Sequence, residues 1–536
     1  MHDLLTDELI GVRTPEGERH VSLPTLYALL AQGAVDGYTG LRAHQADPWH
    51  VFLVQVAASI QARRPTEELP TDPAYWHDGL LDLADGQETA WSLVVEDVTK
   101  PAFLQHPWSS WEAEAKDYGA EQKRGVWSYQ PKASTPDELD VLITSKNHDV
   151  KMSRVDANEA QAWLYALLLY QTTSGYNGSG NYGIVRMNSG TGSRSIVAWT
   201  QSLHPSRRFI DEVSALRSLR ESTQAAYGFR ARGTVLTWLT RWNREGHQHR
   251  LHDLEPWFIE ATRPVRLYRT PDGAVIALGA TSKARQIGPK NLESGDVGDP
   301  WIPLNTEDKK KGRSALTLPA AGFTPDRLTD LLFEQGFELT ALQRPRPGNE
   351  PGWFVASVLV RGQGTTEGFH RVELPVPPKA RMALFSAASR DTLAHFAQSL
   401  LTDASGVMAA LRTALTVFAE GGPETADFNR DAVKRWVDRT RADFGKRWEA
   451  SYFPTLWRAV DENREAVRQG WQHALVQQAR ELLEEAHTRL PLPSNRRYRA
   501  ITEAHRAFAG VLRKKGLSVP TSVSAQHIET NEELTA

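Results

Sequence analysis

The stretch VELPVPPKA, residues 372–380, divides this sequence into two regions of different hydrophobic periodicity. Before it, short strand-like runs alternate with helical segments and glycine-rich loops. After it, glycine is sparse and apolar residues recur at helical spacing nearly to the end of the chain. The sequence therefore predicts an α+β fold, with a large mixed α/β domain at residues 1–378 and a C-terminal helical bundle at residues 379–518. Residues 519–536 have the composition of a disordered tail.

The predicted bundle consists of long helical segments with short connections between them. These segments are Ser389–Leu401, Gly406–Glu420, Asn429–Ser451, Asn463–Leu490 and Asn495–Lys515. The last of them is rich in arginine and lysine, a pattern typical either of a solvated face or of a face that meets phosphate.

Upstream of residue 372 the patterns predict a mixture of helices and strands. A turn at Pro15-Glu16-Gly17 indicates a hairpin, and prolines near the starts of two segments indicate helix N-termini, the second capped by Asp47. The predicted strands and hairpins are Leu9–Thr14 with His20–Leu23, Asp137–Thr144, Ile196–Gln201, and Phe354–Arg361 with Phe369–Val376. The predicted helices are Pro24–Gln32, Asp47–Ala62, Trp76–Leu83 and Ala162–Tyr170.

Composition excludes several classes of protein. The 62 lysines and arginines are balanced by 65 acidic residues, so a protein that bound long nucleic acid through its overall charge is excluded and any such binding needs local patches or partners. The absence of cysteine excludes disulfides, thiolate zinc sites and cysteine nucleophiles. No apolar run approaches the roughly 20 residues that span a bilayer, and the acidic N-terminus does not resemble a signal peptide. We therefore expect a cytoplasmic protein without membrane contact.

The segment GYNGSGNYGIVRMNSGTG, Gly175–Gly192, is the strongest candidate binding element. Its glycines let another molecule approach the main chain closely, and Arg186 and Arg194 offer two guanidinium groups to a polyanion. The segment matches neither a dinucleotide-binding fingerprint nor a P-loop. A flexible surface hairpin is the alternative interpretation.

Three polar loops together indicate contact with a DNA duplex. The first holds Lys146 and Asn147, the second Gly178–Asn181, and the third, at the tip of a predicted hairpin, Arg361 and Gln363. Lysine and asparagine reach the acceptors of the minor groove, glycine backbone approaches the groove floor, and a hairpin tip enters a duplex. Composition alone does not establish that the three loops converge.

Catalytic and metal-binding patterns are weak in this sequence. Asp140 and Lys146 give part of the pattern of a metal-dependent nuclease, but Thr144 stands where the second carboxylate is needed. Histidines 20, 44, 50, 247 and 249 lack metal-ligand spacing. We predict no catalytic residue, no metal ligand and no cofactor, and keep a nuclease in which Asp140, Asp149 and Lys146 converge as the alternative.

Three stretches resemble the CasA large subunit of type I-E CRISPR Cascade complexes. LLTDELIGVR (Leu4–Arg13) followed by VSLPTLYALL (Val21–Leu30) is similar to the opening of that family, residues 162–192 to its glycine loop, and VMAALRTALTVFAEGG (Val407–Gly422) to a helix of its four-helix bundle. The resemblance implies an N-terminal α/β domain, a C-terminal four-helix bundle and no catalytic activity. Some relatives carry a cysteine cluster that this chain lacks, so no zinc is implied.

The resemblance also implies site residues and partners. Gly178, Ser179, Gly180 and Asn181 match the glycine loop, and Lys146 and Asn147 match a loop that inserts near the PAM, the short motif beside the target. Gln363 corresponds to a glutamine wedge and Lys283 to a wedge lysine. The implied role is minor-groove PAM recognition, duplex opening for the guide RNA and recruitment of a helicase-nuclease, together with other Cascade subunits. The large subunit of another interference subtype is a further alternative.

Overall fold

A computed structural model describes residues 2–109, 129–142, 159–188, 194–288, 294–308, 310, 312–346, 348–361, 366–489 and 494–517. The chain divides into two compact units, Met1–Val376 and Pro377–Ala536. The first unit mixes helices with several small sheets, and the second is helical. The predicted fold class is therefore confirmed, whereas independent folding of each unit stays a prediction.

The N-terminus forms the predicted hairpin. Strand β1 (Ile10–Thr14) pairs antiparallel with β2 (Gly17–Val21), and Thr14 lies opposite Gly17 at the turn. The φ angle of Gly17 is 127°, which glycine adopts without strain. Strand β3 (Gly37–Tyr38) pairs with the other edge of β1. Helix α1 (Leu23–Gln32) follows the hairpin, as predicted.

Helix α2 (Ala43–Arg63) begins earlier than predicted, with Pro48 inside it. Asp47 does not cap this helix. Its buried carboxylate instead accepts hydrogen bonds from Arg208 at 2.7 Å and from Arg371 at 2.9 Å. The nearby ring of His50 is also buried, with Nε2 3.1 Å from the Glu212 carboxylate. Asp47, which the sequence pattern predicts as a helix cap, therefore forms tertiary ion pairs instead.

The other helices of the N-terminal unit are α3 (Pro73–Leu83), α4 (Pro136–Leu139), α5 (Ala160–Thr172), α6 (Pro205–Tyr227) and α7 (Pro325–Leu332). The strand predicted for Asp137–Thr144 is wrong in its described part, because α4 occupies its first residues. Pro136 stands at the first helical position with acidic residues after it, which favours a helix N-terminus. Residues 143 and 144 lie outside the described residues.

A three-stranded antiparallel sheet carries the predicted C-terminal hairpin of this unit. Strand β13 (Gly352–Arg361) lies between β5 (Ser195–Thr200) and β14 (Thr366–Val376). The hairpin is confirmed, although β14 begins inside the predicted loop. The remaining strands are β4 (Gln130–Ala133), β6 (Thr234–Leu236), β7 (Leu254–Ile259), β8 (Val265–Arg269), β9 (Val275–Gly279), β10 (Leu304–Asp308), β11 (Gly312–Ala315) and β12 (Phe337–Glu338). They form the sheets β4-β9-β8, β11-β10-β12 and β6-β7.

Tryptophan fills much of the core of the N-terminal unit. Burial of one such ring contributes roughly 4–6 kcal/mol of hydrophobic free energy before conformational entropy is subtracted. Several of the indole N–H groups also donate to the main chain, including those of Trp91 to Leu80 at 3.0 Å and Trp238 to Ala90 at 3.1 Å. The fully buried tryptophans are Trp49, Trp76, Trp91, Trp163, Trp199, Trp238, Trp257 and Trp301.

The C-terminal unit consists of the short helix α8 (Pro378–Phe385) and four long helices, α9 (Ala387–Glu420), α10 (Asp431–Arg458), α11 (Arg464–Arg489) and α12 (Ser494–Lys514). The two segments predicted for residues 389–401 and 406–420 are one continuous helix, α9. Asp403 and Gly406 lie at the predicted break, and each of them has a packing role in the continuous helix. Asp403 accepts two hydrogen bonds from Arg468, at 2.8 and 2.9 Å, and a Cβ on Gly406 would lie 2.7 Å from Leu517.

None of the helices that the structure describes combines the length and the apolar character needed to cross a membrane.

Candidate nucleic-acid interface

Residues 178–181 form a tight turn after helix α5. The N–H of Asn181 donates to the carbonyl oxygen of Gly178 at 3.0 Å, and the N–H of Asn177 donates to that of Asn181 at 2.9 Å. The φ angles are 97° at Gly178 and 77° at Gly180, a region in which other residues are strained. The turn therefore requires its two glycines, and it presents Ser179 to solvent.

A buried guanidinium group holds the base of this turn. Arg263 donates through Nη1 to the carbonyl of Tyr170 at 2.9 Å and through Nη2 to the carbonyl of Gly175. Its guanidinium carbon also lies 4.5 Å from the centroid of the Tyr170 ring. Burial lowers the pKa of Arg263 from its usual value, and Tyr170 opposes that shift. These contacts of Arg263 fix the backbone immediately before the glycine turn.

The structure brings Lys283 next to the glycine turn. The N–H of Ser282 donates to the carbonyl oxygen of Gly180 at 2.9 Å. A Cβ added to Gly180 would lie only 2.6 Å from the Cβ of Thr281, so the two backbones approach as closely as glycine allows. The side chain of Lys283 is 56% exposed. The second predicted loop and the wedge lysine therefore share one surface.

A third segment, which sequence patterns do not indicate, completes this surface. The carbonyl of Arg244 accepts from the N–H of Lys283 at 2.8 Å, and the Glu245 carboxylate lies 2.5 Å from Lys283 Nζ. Arg244 has a φ of 64°, and its guanidinium lies 5.1 Å from the centroid of the Tyr129 ring. A positive φ outside glycine leaves no signal in the sequence. We call residues 178–181, 245, 281 and 283 the glycine-lysine surface; Arg244 and Ser282, which hold it through backbone hydrogen bonds, are themselves buried.

Arg186 and Arg194 do not belong to this surface, contrary to the prediction that they offer guanidinium groups to a ligand. Both side chains are only 3% exposed. Arg186 contacts Glu260 at 3.0 Å and Asp299 at 2.7 Å, and Arg194 contacts Asp299 at 3.0 Å. Burial lowers the pKa of Arg194, although Asp299 acts in the opposite direction. Both arginines therefore stabilise the core of the N-terminal unit.

The anchors of the other two predicted loops lie side by side. The Thr366 hydroxyl, at the start of β14, donates to the carbonyl of Val141 at 2.5 Å. The backbone of Arg361 pairs with Thr366 across the hairpin. Lys146, Asn147, Gln363 and Gly364 themselves lie outside the described residues, and so does Asp149. Among the described residues, the structure thus brings the glycine turn next to Lys283, and Thr366 next to Val141.

Asp140, the acid of the nuclease alternative, is fully buried and already bound by neighbouring side chains. Its carboxylate contacts His44 Nε2 at 2.8 Å and accepts from Gln45 at 2.8 Å and from the N–H of Leu142 at 2.9 Å. Burial would raise the pKa of Asp140, but the hydrogen bond and charge of His44 lower it below its usual value. This acid holds the start of α2 and does not face solvent.

No family model and no curated relative matches this sequence. Solved structures, however, match it over nearly its whole length. Cse1 from Acidimicrobium ferrooxidans is 14% identical, with a TM-score of 0.60 over 96% of this chain and 98% of that one. CasA (Cse1) from Thermus thermophilus is 15% identical, with a TM-score of 0.57 over 96% and 99%. A chain of a CRISPR RNA-guided surveillance complex is 12% identical, with a TM-score of 0.52 over 94% and 99%.

These matches assign the chain to a fold class in which an N-terminal α/β unit is followed by a C-terminal helical unit. Within that class it has the Cse1/CasA fold, which extends over nearly all of both chains. The resemblance to CasA is therefore confirmed at the level of the fold. The TM-scores of 0.60 and 0.57, at identities of 14% and 15%, establish shared architecture.

Proposed function

We propose that this chain is the non-catalytic large subunit of a type I-E Cascade surveillance complex, in which it acts with other Cascade subunits and a guide RNA. The observation that carries this proposal is the Cse1/CasA fold over 96% of the chain. A chain of the same fold occurs in a CRISPR RNA-guided surveillance complex. A net charge of −3 suits a subunit that gains most of its affinity for nucleic acid from the assembly around it.

Within such a complex, the glycine-lysine surface is proposed to read the PAM of double-stranded DNA from the minor groove. Gly178 and Gly180 remove the side chains that would keep the backbone from the groove floor. Lys283 supplies a donor for the acceptors that both A·T and T·A pairs present in that groove. Lys146 and Asn147 are proposed as further contacts, which would add base discrimination to the approach of the main chain.

The hairpin between β13 and β14 is proposed to act after the PAM is bound. Strand β13 is the central strand of its sheet, so the hairpin has a rigid base for a tip that enters the duplex. Gln363 is the proposed wedge residue and Arg361 a flanking contact. Separation of the first base pair costs a few kcal/mol of stacking and pairing, which a wedge offsets by filling the gap. The guide RNA then pairs with the opened strand, and a helicase-nuclease is recruited to this cytoplasmic complex.

The nuclease alternative receives no support from the described residues. A metal-dependent nuclease needs carboxylates that converge on an accessible ion. Asp140 is buried and its carboxylate is bound by His44, Gln45 and a main-chain N–H. An acid in this environment stabilises the N-terminal unit and is not available as a metal ligand.

A binding assay with randomised flanking sequence tests the proposal. The chain is reconstituted with its Cascade partners and a guide RNA, and a duplex library with a fixed target and randomised flank is separated by electrophoresis. We expect the bound fraction to be enriched in a short flanking motif next to the target. The same complex assembled without this chain is the control and should show no such enrichment. Binding that is equally strong for all flanks would contradict the proposal.

A further inference from the structure

Two histidines and a glutamate meet between the last two helices of the C-terminal unit. Glu484 and His487 lie one turn apart on α11, and His505 lies on α12. Glu484 is 3.6 Å from His487 Nδ1 and 3.3 Å from His505 Nε2, measured from its carboxylate oxygens. One potential ligand atom from each of the three residues lies within 4.8 Å of the other two. Among the described residues this is the one group of such side chains close enough to share an ion.

We propose that Glu484, His487 and His505 form a binding site for a divalent transition metal ion, with Zn²⁺ the expected occupant, and that the ion links α11 to α12. Two imidazole nitrogens and one carboxylate oxygen are ligands that Zn²⁺ prefers, with a fourth position for water. The proposal goes beyond the proposed function, because it requires neither DNA nor Cascade partners.

The spacing of the three groups fits a tetrahedral ion after small side-chain movements. Bonds of about 2.0–2.2 Å place tetrahedral ligand atoms roughly 3.3–3.6 Å apart. The two separations at Glu484, one from each carboxylate oxygen, already have this value, and all three ligand atoms lie within 4.8 Å of one another. Glu484 and His505 have side chains that are 64% and 40% exposed, so both are able to change rotamer without disturbing the core.

His487 provides the fixed part of the site. Its side chain is 5% exposed and its ring lies 4.5 Å from that of Phe418, between centroids. Its Nε2 is buried and has no hydrogen-bond partner among the described residues. One ligand is therefore held in place before the ion arrives.

The sequence contains one sign of this site. Glu484 and His487 have the Glu-x-x-His spacing that places both side chains on one face of a helix, as in metal-binding helical bundles. The third ligand is outside the reach of any local pattern, because His505 belongs to the next helix. Prediction from the sequence therefore missed the cluster.

Metal titration of the full-length, untagged protein, stripped of metal with a chelator, tests the proposal. Zn²⁺ affinity is measured by competition with a chromogenic chelator, and Co²⁺ is added separately to record its visible absorption. The variants are His505→Ala and Glu484→Gln, both at exposed side chains where folding should be retained. The matched control is His473→Ala, an exposed histidine on the same helix α11.

We expect one Zn²⁺ per chain in the wild type and in the control. Removal of a group that only hydrogen-bonds to a metal ligand weakens metal affinity about tenfold to a hundredfold. Removal of a ligand itself should therefore weaken Zn²⁺ binding by at least that factor. Tetrahedral Co²⁺ bands should appear in the wild type and be absent from both variants. Zn²⁺ should also raise the melting temperature of the wild type but not that of His505→Ala. Equal behaviour of the wild type, variants and control, including equal absence of binding, would overturn the proposal.

Discussion

The main-chain N–H of Ser282 donates a hydrogen bond of 2.9 Å to the carbonyl oxygen of Gly180, which joins two segments that lie far apart in the sequence. Because Lys283 follows Ser282 directly, the position of the lysine depends on the shape of the glycine turn. A change in the turn should therefore alter both the backbone that we propose approaches DNA and the position of the charged side chain beside it.

The variants Gly180→Ala and Gly178→Ala distinguish backbone strain in the turn from displacement of the neighbouring segment that carries Lys283. Both residues have positive φ, so either alanine costs about 1 kcal/mol of backbone strain. Only at position 180 does the new Cβ meet a neighbour, Thr281, at 2.6 Å; at position 178 nothing lies within 4 Å. We expect Gly180→Ala to weaken PAM-dependent binding more than Gly178→Ala, in electrophoretic assays of the complex. Gly180→Asp, which adds a negative charge, should abolish binding. Equal affinities for the two alanine variants would contradict this account.

Lys283 and Glu245 offer a charge test on the same surface. We expect Lys283→Ala to weaken binding of duplex target several-fold and to reduce the slope of log affinity against log salt by about 1. Glu245→Gln should leave binding unchanged or strengthen it, because it removes the carboxylate 2.5 Å from the lysine. Neither change should alter the melting temperature much, since exposed ion pairs contribute less than about 1 kcal/mol. A loss of binding in Glu245→Gln that equals the loss in Lys283→Ala would show that the pair is structural.

Gln363→Ala should slow the opening of a fully paired target. The same variant should behave nearly like the wild type on a target with mismatches next to the PAM, because the wedge is then no longer needed. Base-analogue fluorescence beside the PAM follows the opening directly. Equal defects on both targets would assign Gln363 to recognition or folding rather than to separation of the strands.

Acid should weaken the N-terminal unit through its buried carboxylates. Burial raises the pKa of Asp47, but Arg208 and Arg371 lower it well below its usual value. For Glu212 the opposing effects of burial and of Arg208 leave the pKa at about 2. Groups with a lowered pKa stabilise fully above the ordinary carboxyl value near 4 and lose that contribution as the pH falls through the folded-state pKa. The free energy of unfolding should therefore fall between about pH 4.5 and pH 2.

The variant Asp47→Asn measures how much the Asp47 carboxylate contributes to the free energy of unfolding. It leaves the buried guanidinium of Arg208 and the partly exposed guanidinium of Arg371 beside a neutral amide, so we expect the free energy of unfolding at pH 7 to drop by about 3 kcal/mol. The further decrease on acidification should be smaller than in the wild type. The control is Asp78→Asn, at a side chain that is 59% exposed. Urea denaturation followed by tryptophan fluorescence reports both values, and similar results for the two variants would contradict the assigned role.

Truncation after Pro378 tests independent folding of the N-terminal unit. We expect this fragment to be soluble and to unfold cooperatively in circular dichroism, because the first compact unit ends at Val376. In the complex it should support weaker target binding than the full chain. A fragment that ends at Arg361 lacks β14 and Arg371 and should be insoluble. Equal insolubility of both fragments would place the boundary elsewhere.

Local patterns were sufficient for elements whose determinants are close in sequence. The hairpin of β1 and β2 follows from alternation and a glycine turn, and helix α5 from an uninterrupted apolar run. The start of α2 could not be predicted in the same way. Its Asp47 has the pattern of a cap, and only its distant partners Arg208 and Arg371 give it a different role.

The candidate site shows the same limit for charged residues. Arg186 among glycines has the same appearance whether its partner is a phosphate or the buried carboxylate of Asp299. The glycine turn itself could be predicted, because positive φ leaves few alternatives to glycine. Its neighbours Arg244 and Lys283 are placed by tertiary hydrogen bonds, which no local pattern records.

The hydrogen bond between Arg371 and Asp47 closes a loop of 324 positions. During synthesis on the ribosome, helix α2 emerges long before strand β14. The hydrogen bond from Arg371 to Asp47 therefore forms only after nearly the whole N-terminal unit has been translated. Contacts of such large sequence separation form late, and the incomplete chain exposes surface that is prone to aggregation. We therefore expect the nascent chain to need chaperone protection, and its yield in cells to depend on the rate of translation through the codons for residues 47–371.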